Sequence, residues 1–187
     1  FPNWVLITLA LAIIPHSAVT KANKPRNMPQ CFNPVIFPET KFLIIGTMPS
    51  EASLKAQEYY AFKQNAFWKI VADIAGCPQT DDYMQKLKML QKIKAGLWDN
   101  LQYCERTGSL DSNIRNEFPN DFTSLLNNNP QIKKLLFNGQ KSLAFFQKYQ
   151  TDLLKKYDYA ALPSTSPANA SVTYQNKLIL WKSALTD

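Results

Sequence analysis

An apolar run at Phe42 to Ile45 ends abruptly in Gly46-Thr47-Met48-Pro49-Ser50, and polar and aromatic residues crowd the stretch beyond it. Tyr59, Tyr60, Phe62, Phe67 and Trp68 are interleaved there with Lys55, Lys63, Gln64 and Asn65. Aromatic faces stack on flat rings, and amides both donate and accept, so this mixture suits a planar ligand with a polar edge, such as a nucleobase. Two more polar groups follow apolar runs further along: Asn138-Gly139 after Ile132 to Phe137, and Ser164-Thr165-Ser166 after Tyr159 to Leu162. The sole histidine is His16, and neither GxxxxGK[ST] nor GxGxxG occurs. A Ser-His-Asp triad, a His-ligated metal and a phosphate loop are therefore not expected in the body of the chain.

Short apolar runs bounded by Gly/Pro turns read as strands buried on both faces. They lie at Phe42–Ile45, Gly96–Asn100, Ile132–Phe137 and Tyr159–Leu162. Between them, helical spacing predicts helices at Asn65–Ala75 (stopped by Gly76), Asp81–Ala95 (stopped by Gly96), a short one ending near Asn128, Gln140–Tyr149 and Tyr174–Leu185. In the helix from Asp81, Lys86, Lys88, Lys92 and Lys94 read as a solvated face. Glu105 to Asn120 reads as a long loop of functional length. Alternating strands and helices predict an α/β fold with a mainly parallel sheet, and in such sheets the ligand crevice lies beyond the carboxyl ends of the strands.

The 187 residues suffice for one domain with a full core, and 45% hydrophobic with 19% charged content is ordinary for a globular chain. A net charge of +7 favours a polyanionic partner. Cys31, Cys77 and Cys104 are unevenly spaced without a Cys-x-x-Cys pair, which argues against a metal cluster or disulfide framework and fits a reducing compartment. Residues 1–27 differ from the rest. Trp4 to Ile14 is apolar but short for a membrane span, no positive region precedes it, and Met28 is a candidate natural start. The expectation is an N-terminal extension over 1–27 and a single domain over 28–187. From Cys31 to Glu39 the chain should run extended, punctuated by Pro34 and Pro38.

In combination, the blocks GTMPSEASLKAQEYYAFKQNAFWKI, GLWDNLQYCERTGSLDSNI, PNDF, KKLLFNG and LPSTSPANA resemble the uracil-DNA glycosylase superfamily, and more closely its DNA-deoxyinosine (hypoxanthine) glycosylase branch. The blocks are spread through nearly all of residues 32–182. The resemblance implies a three-layer α/β/α fold with a central four-stranded parallel sheet and no cofactor or metal. It implies a monofunctional enzyme that flips a deaminated base out of DNA and hydrolyses its bond to deoxyribose. DNA containing deaminated bases would be the partner, no membrane would be involved, and the protein would be a monomer in the cytoplasm, or in the nucleus if eukaryotic. Two other readings stay open: a uracil or mismatch glycosylase on the same fold, and a catalytically weak nucleic-acid-binding module.

Carried over residue by residue, the resemblance makes Asn65 catalytic, orienting water or the departing base; as an N-cap before an apolar helix it would also be at home. Gly46 and Thr47 belong to the first motif, whose backbone lines the base and water pocket, with Met48 and Pro49 beside the base. Several other branches carry an acid or amide after this strand, so Thr47 and Met48 fit the hypoxanthine branch. Tyr60 or Phe67 would be the stacking platform, plain core packing being the alternative. Asn138 resembles the reader of the base edge; a turn-forming Asn-Gly is the bland alternative. Ser164, Thr165 and Ser166 match the second motif, which grips phosphates, with Ser50 and Asn169 also on the DNA side; a Pro-flanked serine turn would look the same. One departure stands out: the branch commonly has His-Pro before Gln64-Asn65-Ala66-Phe67-Trp68, where this chain has Phe62-Lys63.

Overall fold

A computed structural model describes residues 30–186. The extension at 1–27 and the candidate start at Met28 lie outside the described residues. The first strand, β1 (Phe42–Gly46), is buried along its whole length. Its side chains alternate: Phe42 and Ile44 join one apolar cluster, Leu43 and Ile45 the other. Burying such a side chain fully stabilises the fold by about 1.5–3 kcal/mol, so this strand anchors both layers.

After β1 come α1 (Glu51–Ala56), α2 (Phe67–Ala75) and α3 (Tyr83–Lys92), followed by β2 (Ala95–Asp99) and β3 (Leu101–Glu105). Then follow β4 (Arg115–Pro119), α4 (Phe122–Asn127), β5 (Lys134–Asn138), α5 (Gln140–Leu154), β6 (Asp158–Leu162) and α6 (Tyr174–Ala184). The central sheet has the order β2-β1-β5-β6, with every pairing parallel. Helices α2, α3 and α6 pack on one face, where Phe67, Leu90 and Trp181 are fully buried against Ile44. Helices α4 and α5 pack on the other through Phe122 and Phe146. The expected three-layer α/β/α arrangement is what forms. The chain winds from β1 towards β2 on one side and from β5 towards β6 on the other, so the connections diverge between β1 and β5. That divergence opens a crevice at the carboxyl ends of the strands.

Several expected boundaries shift for local reasons. The helix predicted from Asn65 starts at Phe67, because Asn65 caps it from outside; Gly76 ends it as expected, in the left-handed region at φ 62°. The helix predicted over Asp81–Ala95 covers only Tyr83–Lys92: Asp82 caps its start, and Lys94 at φ 54° turns the chain before Gly96. Gly96 lies inside β2 instead, where an added Cβ would come within 2.6 Å of the Val35 carbonyl oxygen. That close approach is the extended lead-in, as Val35 and Leu97 exchange backbone hydrogen bonds of 2.8 and 2.9 Å and cover the outer edge of β2. Helix α5 runs on to Leu154 across a kink at Gln150. The long loop at Glu105–Asn120 contains a 3-10 turn at Asp111–Asn113 and β4, which pairs antiparallel with β3 as a separate two-stranded sheet. Among the described residues no helix is long and apolar enough to cross a membrane.

Candidate active site

The turn after β1 is held from beneath. Buried Asn100 donates from its backbone N–H (3.0 Å) and its Nδ2 (2.9 Å) to the Gly46 carbonyl, and buried Ser142 donates to the Ile45 carbonyl at 2.7 Å. The Leu101 N–H reaches the Thr47 carbonyl at 3.2 Å. Gly46 through Ser50 is thereby fixed over the crevice. Together with Tyr60, Asn65, Asn138, Ser164, Thr165, Ser166 and Asn169 it lines a pocket of about 530 Å³.

Tyr60 sits in the left-handed region at φ 54°, a conformation that costs a non-glycine residue energy and marks a site held by its surroundings. The holding partner is Phe67, whose ring stacks on that of Tyr60 with centroids 3.9 Å apart. Phe67 itself is completely buried and does not reach the pocket. Of the two candidate platforms, then, Tyr60 faces the pocket and Phe67 is its backing, because the first residue of α2 points into the core against Trp181.

Asn65 lies at the start of α2 and at the pocket wall. Its Oδ1 accepts the Phe67 N–H at 3.0 Å, capping α2, while its Nδ2 has no protein partner among the described residues and its side chain lines the pocket. The next N–H, of Ala66, donates to the Thr165 carbonyl at 3.0 Å and ties this loop to the one after β6.

Asn138 and Thr165 form a two-bond brace: Asn138 Nδ2 donates to Thr165 Oγ1 and the Thr165 N–H donates to Asn138 Oδ1, both at 2.9 Å. Beyond the brace Asn138 keeps one N–H and one lone pair, and its side chain also hydrogen-bonds the Tyr60 hydroxyl at the pocket wall. Thr165, expected as a phosphate grip, lines the pocket but is 1% exposed, its N–H and Oγ1 engaged with Asn138. Ser164 and Ser166 remain accessible in part. Their loop is shaped by the Asn169 Nδ2 bond to the Ser164 carbonyl (3.2 Å) and by buried Lys177 donating to the Asn169 carbonyl (2.8 Å). Desolvation holds the Lys177 ammonium below its ordinary range. Gly139 sits at φ 100°, a conformation that favours glycine, and a Cβ there would crowd Ser164 Cβ at 3.0 Å. Ser50 lines the pocket while capping α1, accepting the Ser53 N–H at 3.2 Å.

Several pocket residues were not among the sequence candidates, Asp99, Asp111, Ser109, Leu110 and Phe62 among them. The loop carrying Ser109 to Asp111 folds across the pocket because Ser109 Oγ accepts the Glu51 N–H at 3.0 Å and Thr47 hydrogen-bonds Asp111. Phe62 is 42% exposed at the mouth. Asp99 is 4% exposed, and its Oδ2 has no hydrogen-bond partner among the described residues. Burial first, then the nearby Asp111 charge, raise its pKa from 3.8 to about 7 against the opposing pull of Arg106. The polar end of Trp98-Asp99-Asn100 was the available signal in the sequence, but nothing there marks enclosure.

Gly46 and Asp99 are register partners, and a Cβ on Gly46 would lie 2.2 Å from Asp99 Oδ1 and 3.0 Å from the Tyr60 hydroxyl. Gly46→Ala should therefore force the carboxyl aside and cost about 1–3 kcal/mol as an overpacking change. A urea midpoint unchanged from the native protein would count against this close packing.

Among the described residues no cluster of three or more His, Cys, Asp or Glu could hold a metal. The arrangement presents a stacking ring, amides, two carboxyls and a hydroxyl-bearing loop to one ligand. It can grip a flat heterocycle by face and edge while a flanking loop meets a backbone. Comparison with known proteins agrees with that geometry. A family model described as the uracil DNA glycosylase superfamily matches residues 34–185. A protein of Methanosarcina barkeri (strain Fusaro / DSM 804) named hypoxanthine DNA glycosylase is 38% identical over 114 residues, 60% of this chain and 72% of that one. Its namesake from Methanosarcina acetivorans is 37% identical over 140 residues, 74% of this chain and 86% of the other. A solution NMR structure from Methanosarcina acetivorans, described there as a candidate uracil DNA glycosylase, superimposes with a TM-score of 0.72 at 34% identity, covering 85% of this chain and 97% of that one.

Proposed function

The chain belongs to the uracil DNA glycosylase superfamily, and on that footing we propose that it is a monofunctional DNA repair glycosylase that excises hypoxanthine. The enzyme acts on deaminated bases in DNA and leaves an abasic site. The observation that carries this reading is the pocket itself: the carboxyl ends of β1, β2 and β5, with the loops after β6 and before α2, supply its lining from one side of the sheet.

An enzyme of this kind must extrude the nucleotide, stack its base, read its edge and place a water. Tyr60, locked by Phe67, is the stacking face. The remaining capacity of Asn138 reads the edge. Asn65, anchored through Oδ1, turns its free Nδ2 toward the water or the departing base. During hydrolysis positive charge grows on the sugar and negative charge on the leaving base. Fixed donors aimed at that base stabilise charge that exists only in the transition state. Ser164 and Ser166, with Asn169 beyond them, meet the phosphates, which sets register without reading sequence. We also read residues 28–187 as one glycosylase-like domain, acting as a monomer in the cytoplasm or, in a eukaryote, the nucleus.

Single-turnover base release from oligonucleotides carrying hypoxanthine, uracil or xanthine, each opposite several partners, tests this. Hypoxanthine should be released fastest by the full chain. Uracil leading would overturn the substrate and keep the reaction. No release from any substrate, with DNA binding intact, would replace the enzyme by a binding module.

A further inference from the structure

Resting on the base-excision reading above, we propose that Asp99 is the general acid of the reaction: as a neutral carboxylic acid it delivers the Oδ2 proton to the acceptor edge of the departing purine, N7 or O6, while the bond from C1′ to N9 breaks. Asp99 closes β2 directly beside Gly46, and the missing side chain there lets its carboxyl lean over the pocket floor. It is buried and lines the pocket, and its Oδ2 has no hydrogen-bond partner among the described residues. A buried polar atom without a partner is costly and asks for a role that a ligand completes.

The other lining groups cannot take this role. The amides of Asn65 and Asn138 and the hydroxyls of Thr47, Ser164 and Ser166 donate hydrogen bonds but do not release a proton near neutral pH. The phenols of Tyr59 and Tyr60 are pushed further from neutrality by burial. Asp111 is the second carboxyl, and the two differ in surroundings: Asp111 has the Thr47 hydroxyl and the Arg106 guanidinium at 3.9 Å, both favouring its charged form against burial. Burial outweighs both and raises Asp111 as well, but of the two carboxyls only Asp99 has a buried oxygen without a hydrogen-bond partner among the described residues. The other titratable groups whose field reaches Asp99 are Cys31, Tyr59, Tyr60 and Tyr83; all four are raised and stay uncharged near pH 7. Arg106 and Asp111 are therefore the charges that set its titration.

The step balances without a redox partner. The oxygen of water bonds to C1′, and the electron pair of the broken C1′–N9 bond goes to the purine. The proton of Asp99 neutralises the purine as it leaves, and a proton from the attacking water restores the acid through solvent.

The test is Asp99→Asn, near-isosteric and unable to transfer a proton. Single-turnover hypoxanthine excision should fall about a hundredfold at pH 6. The native rate should decline as pH rises through about 7, and the variant profile should be flat. Unchanged affinity for abasic DNA and cooperative unfolding of the variant exclude a folding defect. A variant with the native rate and profile, or a native rate that climbs with pH through 7 as a general base requires, overturns the assignment. If the native chain releases no base at all, the base-excision reading itself fails, and that outcome is distinct from the other two.

Discussion

Replacing Asn65 by Ala should slow single-turnover base excision about a thousandfold, the upper range for removing one transition-state donor. Affinity for abasic DNA should survive, since the phosphate contacts proposed for the loop after β6 do not involve this side chain. The same substitution removes a helix cap and should lower stability by about 1 kcal/mol. The two losses can be separated. Asn65→Ser keeps an oxygen for the Phe67 N–H, now 3.0 Å from Asn65 Oδ1, but has no amide to offer the pocket. Serine should restore most of the stability and little of the rate. A rate that recovers along with stability would reduce Asn65 to a cap.

The second large effect is on stability as pH changes, and its sign follows from burial. Asp99 titrates near its ordinary 3.8 when unfolded and at about 7 when folded. Between those values the folded state holds the extra proton, so stability is fully present below about pH 4 and is lost as pH rises through 7. The loss from this one group is about 4 kcal/mol. Asp111, also raised by burial, adds in the same direction, whereas Glu117, held down by Lys148, opposes it weakly at the surface. Asp99→Asn should remove most of the slope, so urea unfolding at pH 8 should find the variant more stable than the native protein even as it excises more slowly. Equal slopes for the two proteins between pH 5 and 8 would mean that Asp99 is not a buried, proton-holding group. Gaining stability while losing rate is the usual exchange at a strained site.

The sheet was readable because its strands are short apolar runs with turn residues behind them, and burial on both faces leaves that trace in composition. Strand β4 left none. Arg115-Asn116-Glu117-Phe118-Pro119 has little apolar character, and it becomes a strand only by pairing with β3. Helix α1 is six residues long, too brief for a periodic pattern. The stop at Lys94 was hidden because a lysine occupies a left-handed turn that glycine would advertise. At the site, strand ends and motif resemblance located Gly46, Asn65 and Asn138. Asp99 escaped because its burial, with Arg106 and Asp111 of the following loop brought back beside it, leaves no trace in the sequence. The placements of Thr165 and Phe67 likewise rest on contacts, one a brace to Asn138 and the other a ring stacked behind Tyr60.

The division between strand interiors and strand ends also bears on how such a protein can change over generations. Phe42 to Ile45 are locked between two apolar layers, and substitutions there would be purged for their effect on folding. The side chains of Phe62 and Leu110 stand exposed at the pocket rim, where replacement removes little buried surface. A lineage could therefore explore new damaged bases by exchanging rim residues one at a time, with the scaffold untouched.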